Sequence, residues 1–210
     1  TSDSKSSYKI MDILKLPGVW MVGIFMFLCY TIIATGTGYL GTYTTYLGVS
    51  AGLSSAMAII RTYIITIFSG LVAGVIADKF KYRCTFLTIL LISVAILSVL
   101  MLFIKSSIIL SVVISMAIAA GYLMIKSTYF SIMGEGGIPR EATGLASGVI
   151  SFIAFIPDAC IYTIIGAWLD KDLASGFNKM FYVIIASAVL AVVLSIMIKK
   201  RYVNSLSKAE

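Results

Sequence analysis

Residues 52–80 read GLSSAMAIIRTYIITIFSGLVAGVIADKF. From Gly52 to Ala77 the only charge is Arg61, a guanidinium that stays protonated in proteins. Everything around it is apolar, small or hydroxylated, over more than the about 20 residues a helix needs to cross a ~30 Å hydrocarbon core. The stretch therefore reads as a membrane-spanning helix with one cation inside it. Such a cation needs a partner or a cavity, because an Arg at the bilayer centre costs about 2.5 to 3.5 kcal/mol on insertion scales. At ~1.5 Å per residue Arg61 lies roughly 14 Å below one boundary, too deep to snorkel.

The flanking sequence has the same character. The chain is 60% hydrophobic and 12% charged, with a mean hydropathy of +1.05, against roughly 45 to 50% apolar and 25% charged in a soluble domain. Six stretches are long and apolar enough to span, at about 19–46, 52–77, 84–104, 107–133, 144–168 and 180–198. The fold class expected is an all-α membrane protein with a single transmembrane domain over 18–198. A polar lead-in (1–17) and a basic tail (199–210) remain. The start has no apolar core of the signal-peptide kind and is expected to be the end of a longer segment.

Lys and Arg near helix ends mark the cytoplasmic side. Lys5, Lys9, Lys15, Lys79, Lys81, Arg83, Arg140, Lys199, Lys200, Arg201 and Lys208 fall on one face, and Lys105, Lys171 and Lys179 on the other. Eleven against three puts both termini in the cytoplasm. This bias accounts for the net charge of +7, and no nucleic acid partner is expected. Cys29, Cys84 and Cys160 read as free thiols in apolar surroundings, implying neither metal nor disulfide. Histidine is absent, which removes the commonest general base. No enzyme and no cofactor are expected.

The chain also resembles itself. GYLGTYTTY (38–46) aligns with GYLMIKSTY (121–129), and GLSSAM (52–57) with GLASGV (144–149), the later copy carrying the extra GEGGIPREAT (134–143). Spans one to three thus read as a copy of spans four to six. An odd number of spans per copy inverts one relative to the other, as in transporters built on inverted repeats. Polar side chains fall on single faces of four spans: Thr31, Thr35, Gly38, Thr42 and Tyr46, with Tyr39 and Tyr43 beside them, on the first; Arg61 on the second; Ser115, Tyr122, Lys126 and Tyr129 on the fourth; Ser147, Ser151, Asp158 and Tyr162 on the fifth. The third and sixth carry only scattered Ser and Thr, which can bond their own backbone. Four helices would line something polar, although small and hydroxyl residues also serve plain helix packing. Gly70 and Gly74 form a G-x-x-x-G pair whose expected role is close helix approach.

At the end of the second span the chain reads GVIADKFKYR (74–83). This resembles the loop signature of the major facilitator superfamily, G-x-x-x-D-[RK]-x-G-[RK]-[RK], which joins the second and third helices of each six-helix half. Gly74, Asp78, Lys79 and Arg83 fit it, while Lys81 replaces the second Gly and Tyr82 a basic residue. The departures are typical of the C-terminal half. The lead-in DILKLPGVW (12–20) is similar to the end of the family's central loop, and GIPREATGLASGVISFIAFIPD (137–158) to the start of helix eleven in organic-anion and sugar-phosphate members.

The resemblance implies half of a twelve-helix transporter, two inverted three-helix repeats, whose partner is an N-terminal six-helix half outside this sequence. It implies alternating access and a cavity lined by the first, second, fourth and fifth helices of each half. It implies a gating latch in which Asp78 accepts hydrogen bonds at a neighbouring helix N-terminus, where the macrodipole favours an anion, while Lys79 and Arg83 pair with carboxylates across the cytoplasmic gate.

Three readings of Arg61 follow: a ligand for an anionic substrate, to which its planar donor fork is suited; one side of an ion pair, with Asp158 or with the other half; or a gating charge. Asp158, beside helix-kinking Pro157, lies roughly 21 Å from the inner boundary, and Lys126 roughly 10 Å. The expected function is movement of a small organic anion across the inner membrane by symport or exchange. Arg61, Lys126, Tyr39, Tyr43 and Tyr122 would bind it, and Asp158 would couple protons or balance charge. A transporter of neutral sugars or drugs, relying on the tyrosines, and a stand-alone six-helix channel or structural subunit are the alternatives. The lipid bilayer is a partner in every reading, and self-association of the half would imitate the two-half arrangement.

Overall fold

The computed structural model describes residues 8–104 and 107–208. The expected lead-in at 1–7 with Lys5, the charge at Lys105, and the last two tail residues lie outside the described residues. The protein is all-helical, with no strand among the described residues and six helices long and apolar enough to cross a membrane. They are α1 (Pro17–Tyr46), α2 (Ala51–Ala77), α3 (Arg83–Phe103), α4 (Ile108–Ile132), α5 (Arg140–Lys171) and α6 (Leu173–Leu206). A short helix, Ile10–Leu14, precedes α1 and is held by its buried Ile13 and by the Trp20 indole, which donates to the Leu14 carbonyl at 2.9 Å.

The helix ends follow local chemistry. Pro17 opens α1, where its missing N–H costs nothing. Gly48, at φ +99°, turns the chain between α1 and α2 in a conformation that favours glycine. Ser50, Ser107 and Asp172 cap α2, α4 and α6 by accepting from Leu53, Leu110 and Ser175 backbone N–H groups. Five of the six helices end within a few residues of the apolar runs. The sixth does not: α6 continues about two turns beyond its apolar run at each end. The flanking LASGFNK and KKRYVNSL are polar but carry no helix breaker, so the helix, ~51 Å long, projects past a ~30 Å core. The expected tail is helical to Leu206.

Helix α1 is the centre of the bundle, with 67% of its most apolar window buried against 17% for α2 and 28% for α5. The principal packing pairs survive an exchange of the first three spans with the last three. Helix α1 packs on α5 and α6, α4 packs on α2 and α3, and the pairs α1–α4 and α3–α6 map onto themselves. The short sequence matches at 38–46 and 121–129 thus have a counterpart in packing. Helices α3 and α6 are also joined by a polar clasp. Thr88 Oγ1 bonds Ser195 Oγ at 3.0 Å, and Ser195 donates to the Cys84 carbonyl at 2.9 Å. Their hydroxyls also bond their own backbones as expected, Thr88 and Ser93 donating to the Cys84 and Ile89 carbonyls at 2.8 and 2.9 Å, and Ser195 adds a bond between the two helices.

The connections after α2 and α4, the chain before α1 and the C-terminal end of α6 share one face. The Glu135 carboxylate accepts from the backbone N–H groups of Arg83 and, at 3.0 Å, Cys84, and the Lys199 ammonium lies 5.3 Å from the Tyr82 ring centroid.

Candidate functional site

Arg61 lies in a part of α2 that departs from α-helical geometry. Ile60–Ile65 forms a π-helical turn, and the Thr66 hydroxyl donates to the Arg61 carbonyl five residues back at 3.1 Å. A π turn inserts one residue into the helical register and is a frequent mark of functional sites. Nothing in IRTYII announces it, since β-branched residues fill ordinary spans as well. The wide turn aims Arg61 inward. The side chain is 6% exposed, and Nη1 is buried with no hydrogen-bond partner.

The guanidinium fits because α1 is notched by glycine. A Cβ on Gly41 would stand 3.0 Å from Arg61 Nη2, and a Cβ on Gly36 would stand 2.6 Å from the Tyr122 ring. Arg61 and Tyr122 thus enter the surface of α1 from α2 and α4. With Thr37, Ala58, Thr62, Thr66, Leu123 and Lys126 they enclose a cavity of about 180 Å3. Two cations and no acidic side chain line it. An unpaired guanidinium in a small polar cavity is costly unless an anion occupies it, and its fork suits a carboxylate or a phosphate. Of the substrate candidates read from sequence, Arg61, Lys126 and Tyr122 come together here.

The other two do not. Tyr39 points toward α5, where its hydroxyl donates to the Tyr162 carbonyl at 2.7 Å. Tyr122, its counterpart in the repeat, lays its ring against Gly36 of α1. Tyr43 is 3% exposed and stacks edge-on against Phe177 and Phe181 of α6, its hydroxyl 3.5 Å from the Met101 carbonyl. Its expected role in substrate binding is corrected: packing between α1, α3 and α6 turns it away from the Arg61 cavity.

Asp158 makes no ion pair with Arg61. Its carboxylate accepts from the Tyr30 hydroxyl at 2.7 Å, and among the described residues the one salt bridge joins Arg83 to Asp78. Asp158 lies on α5, which packs on α1 but is not a principal packing partner of α2, so the carboxylate and the guanidinium do not meet here. Asp158 follows the break in α5 at Phe155, where Pro157 lacks the N–H to continue the helix and Asp158 N bonds the Phe155 carbonyl at 3.1 Å.

The loop signature is rearranged as well. Asp78, expected at a neighbouring helix N-terminus, instead pairs with Arg83 across its own turn, while Lys79 is exposed. Glu135 takes the place at the N-terminus of α3, a role that sequence reading missed. Gly74 has open space where a Cβ would stand, and a Cβ on Gly70 would meet only the Ser127 Cβ at 4.0 Å. The close-approach reading of that pair is therefore corrected. Cys29, Cys84 and Cys160 are free. No cluster of three metal-ligating side chains occurs among the described residues.

No family model and no solved structure matches the chain. Two curated proteins of Escherichia coli strain K12 do. Inner membrane protein YqcE is 27% identical over 209 residues, covering 94% of this chain and 48% of that protein. Inner membrane protein YihN is 27% identical over 201 residues, covering 90% and 46%. This chain is a multi-pass membrane protein. It spans about half the length of the curated relatives it matches, and both carry inner membrane in their names.

Proposed function

We propose that this chain is the C-terminal six-helix half of a secondary transporter of the major facilitator kind, moving a small organic anion by symport or exchange. The observation that carries the reading is the Arg61 side chain, 94% of it buried, with an unpartnered Nη1 in a cavity it shares with Lys126 and Tyr122. The Gly74–Arg83 signature, the exchangeable packing of the two three-helix sets and the half-length match to inner membrane proteins support it. In this reading the N-terminal half closes the cavity from the side that α2 and α5 leave uncovered, and substrate reaches Arg61 from one side of the membrane at a time. Both termini are cytoplasmic, on the strength of the basic face that holds Lys79, Lys81, Arg83 and Lys199. Asp158 and Tyr30 are a carboxylate and phenol pair suited to carrying a proton, outside the lining of the Arg61 cavity.

The test is binding of small carboxylates and phosphates to the intact protein in lipid nanodiscs. Saturable binding that Arg61→Ala abolishes and Arg61→Lys barely restores supports the reading. Binding unaffected by Arg61→Ala overturns it.

A further inference from the structure

The C-terminal part of α6 carries a groove of about 570 Å3, lined by Met197, Lys200, Arg201, Asn204, Ser205 and Lys208. These positions recur at spacings of three and four, so they form one stripe on one helix face. Carried back toward the membrane centre, the same stripe holds Val193 and Leu190, exposed like Met197. It is apolar where the helix crosses the hydrocarbon and cationic beyond it. No acidic side chain lines the groove.

We propose that this stripe binds an anionic phospholipid, whose acyl chain lies along Leu190, Val193 and Met197 and whose phosphate lies between Lys200 and Arg201. The site is separate from the Arg61 cavity and does not depend on what that cavity binds.

The depth fits. The apolar run of α6 ends at Ile198, and Lys200 and Arg201 follow it by ~3 to 5 Å along the helix. That places them inside the headgroup layer, about 5 to 8 Å thick on each side of the core. A contact with α1 marks the same level. Arg201 Nη1 lies 3.4 Å from the Met21 sulfur, and the neighbouring Trp20 is exposed, an aromatic of the kind that collects at the membrane interface. The thioether is only a weak acceptor, so it positions the guanidinium and leaves the other N–H donors for phosphate oxygens. Ser205 and Asn204, about one turn further out, offer a hydroxyl and an amide to a polar headgroup.

Basic residues at a helix end also fix topology, but topology depends on their number and not on the face they occupy. Here the faces differ. Lys199 is half-buried with its ammonium 5.3 Å from the Tyr82 ring centroid, whereas Lys200, Arg201 and Lys208 stay exposed along the groove. A soluble acidic partner would meet only the cationic end. A phospholipid meets the apolar and the cationic part in the order in which the stripe presents them, and basic pockets beside membrane helices suit anionic headgroups.

The experiment titrates the intact protein in detergent with phosphatidylglycerol and with phosphatidylcholine of the same acyl chains, and native mass spectrometry reads the first bound lipid. Phosphatidylglycerol binds about tenfold tighter or more. Lys200→Gln with Arg201→Gln reduces that preference to within about twofold. Lys81→Gln with Lys199→Gln removes as much charge, from around Tyr82, and keeps the preference. Equal binding of the two lipids by the unaltered protein overturns the site. So does a preference that survives the groove variant, and so does one lost equally in both variants, which would make it a matter of net charge. Displacement of phosphatidylglycerol by excess inorganic phosphate assigns the groove to a soluble anion and also overturns it. A second measurement needs no change in the groove. With Trp168→Phe leaving Trp20 as the one tryptophan, brominated phosphatidylglycerol in the bilayer quenches its fluorescence more than brominated phosphatidylcholine does. Equal quenching overturns the proposal.

Discussion

A side-chain carbon on Gly41 would stand 3.0 Å from Arg61 Nη2, so the cation in α2 keeps its place because α1 has no side chain there. The same holds at Gly36, where an added carbon would meet the Tyr122 ring at 2.6 Å. The two substitutions have different consequences. Gly41→Ala presses on the far end of a flexible side chain, which shifts by a few tenths of an ångström. The expected result is a loss of anion affinity of about tenfold, ~1.4 kcal/mol, with insertion and thermal stability kept. Gly36→Ala presses on a rigid, buried ring and is expected to destabilise by about 1 to 3 kcal/mol. Ligand binding and thermal unfolding of both variants in one detergent separate the two effects. Equal loss of stability in both would show that Arg61 is wedged rather than seated.

Arg61 and Asp158 are predicted to act independently. They sit in α2 and α5, which are not principal packing partners of each other, and the Asp158 carboxylate is engaged by Tyr30 at 2.7 Å. In binding free energy, Arg61→Ala and Asp158→Asn should therefore add to within about 0.5 kcal/mol in the double variant. An ion pair would behave differently, each single change harming the protein and the double change recovering it. Substrate affinity and expression, measured for both singles and the double, decide. Recovery in the double variant would mean that the pair meets in another conformation.

These two relationships mark the limit of what the sequence discloses. The six spans were legible because membrane thickness imposes a length on apolar runs. Arg61 stood out because a lone cation in such a run is costly. The projecting ends of α6 were not legible, since LASGFNK and KKRYVNSL fit a solvated helix as well as a loop. Tyr43 was misread because its position beside the polar face does not specify which neighbour it meets, and Phe177 and Phe181 are far along the chain. Glu135 was missed for the same reason: GEGG reads as a turn, and its partners at Arg83 and Cys84 are about fifty residues away. Only tertiary packing brings them together.

Glu135 is expected to stabilise the bundle as the cap of α3. Its carboxylate meets two of the unpaired N–H groups at that N-terminus, where the helix dipole also favours negative charge. Glu135→Ala should cost about 0.5 to 2 kcal/mol, the usual range for a lost cap. Glu135→Gln should cost less, because the amide oxygen still accepts one bond while the charge is gone. Thermal unfolding midpoints of the two variants test the ordering. A Gln variant as unstable as the Ala variant would assign the effect to charge rather than to hydrogen bonding.

The last prediction concerns sidedness. Glu135 joins the connection after α4 to the start of α3, and Lys199 at the far end of α6 reaches Tyr82, so these segments share one face. Ala174, exposed in the first turn of α6, lies 25 residues before Lys199 on the same helix, ~38 Å away by the helical rise. In a background with Cys29, Cys84 and Cys160 replaced, Lys81→Cys and Ala174→Cys should react with a membrane-impermeant maleimide from opposite sides. The basic face predicts that Lys81→Cys is labelled in inside-out vesicles and Ala174→Cys in right-side-out ones. The reversed pattern would keep the fold but invert its orientation. Labelling of both from one side would end the six-span arrangement, because α6 could not then cross the bilayer between them.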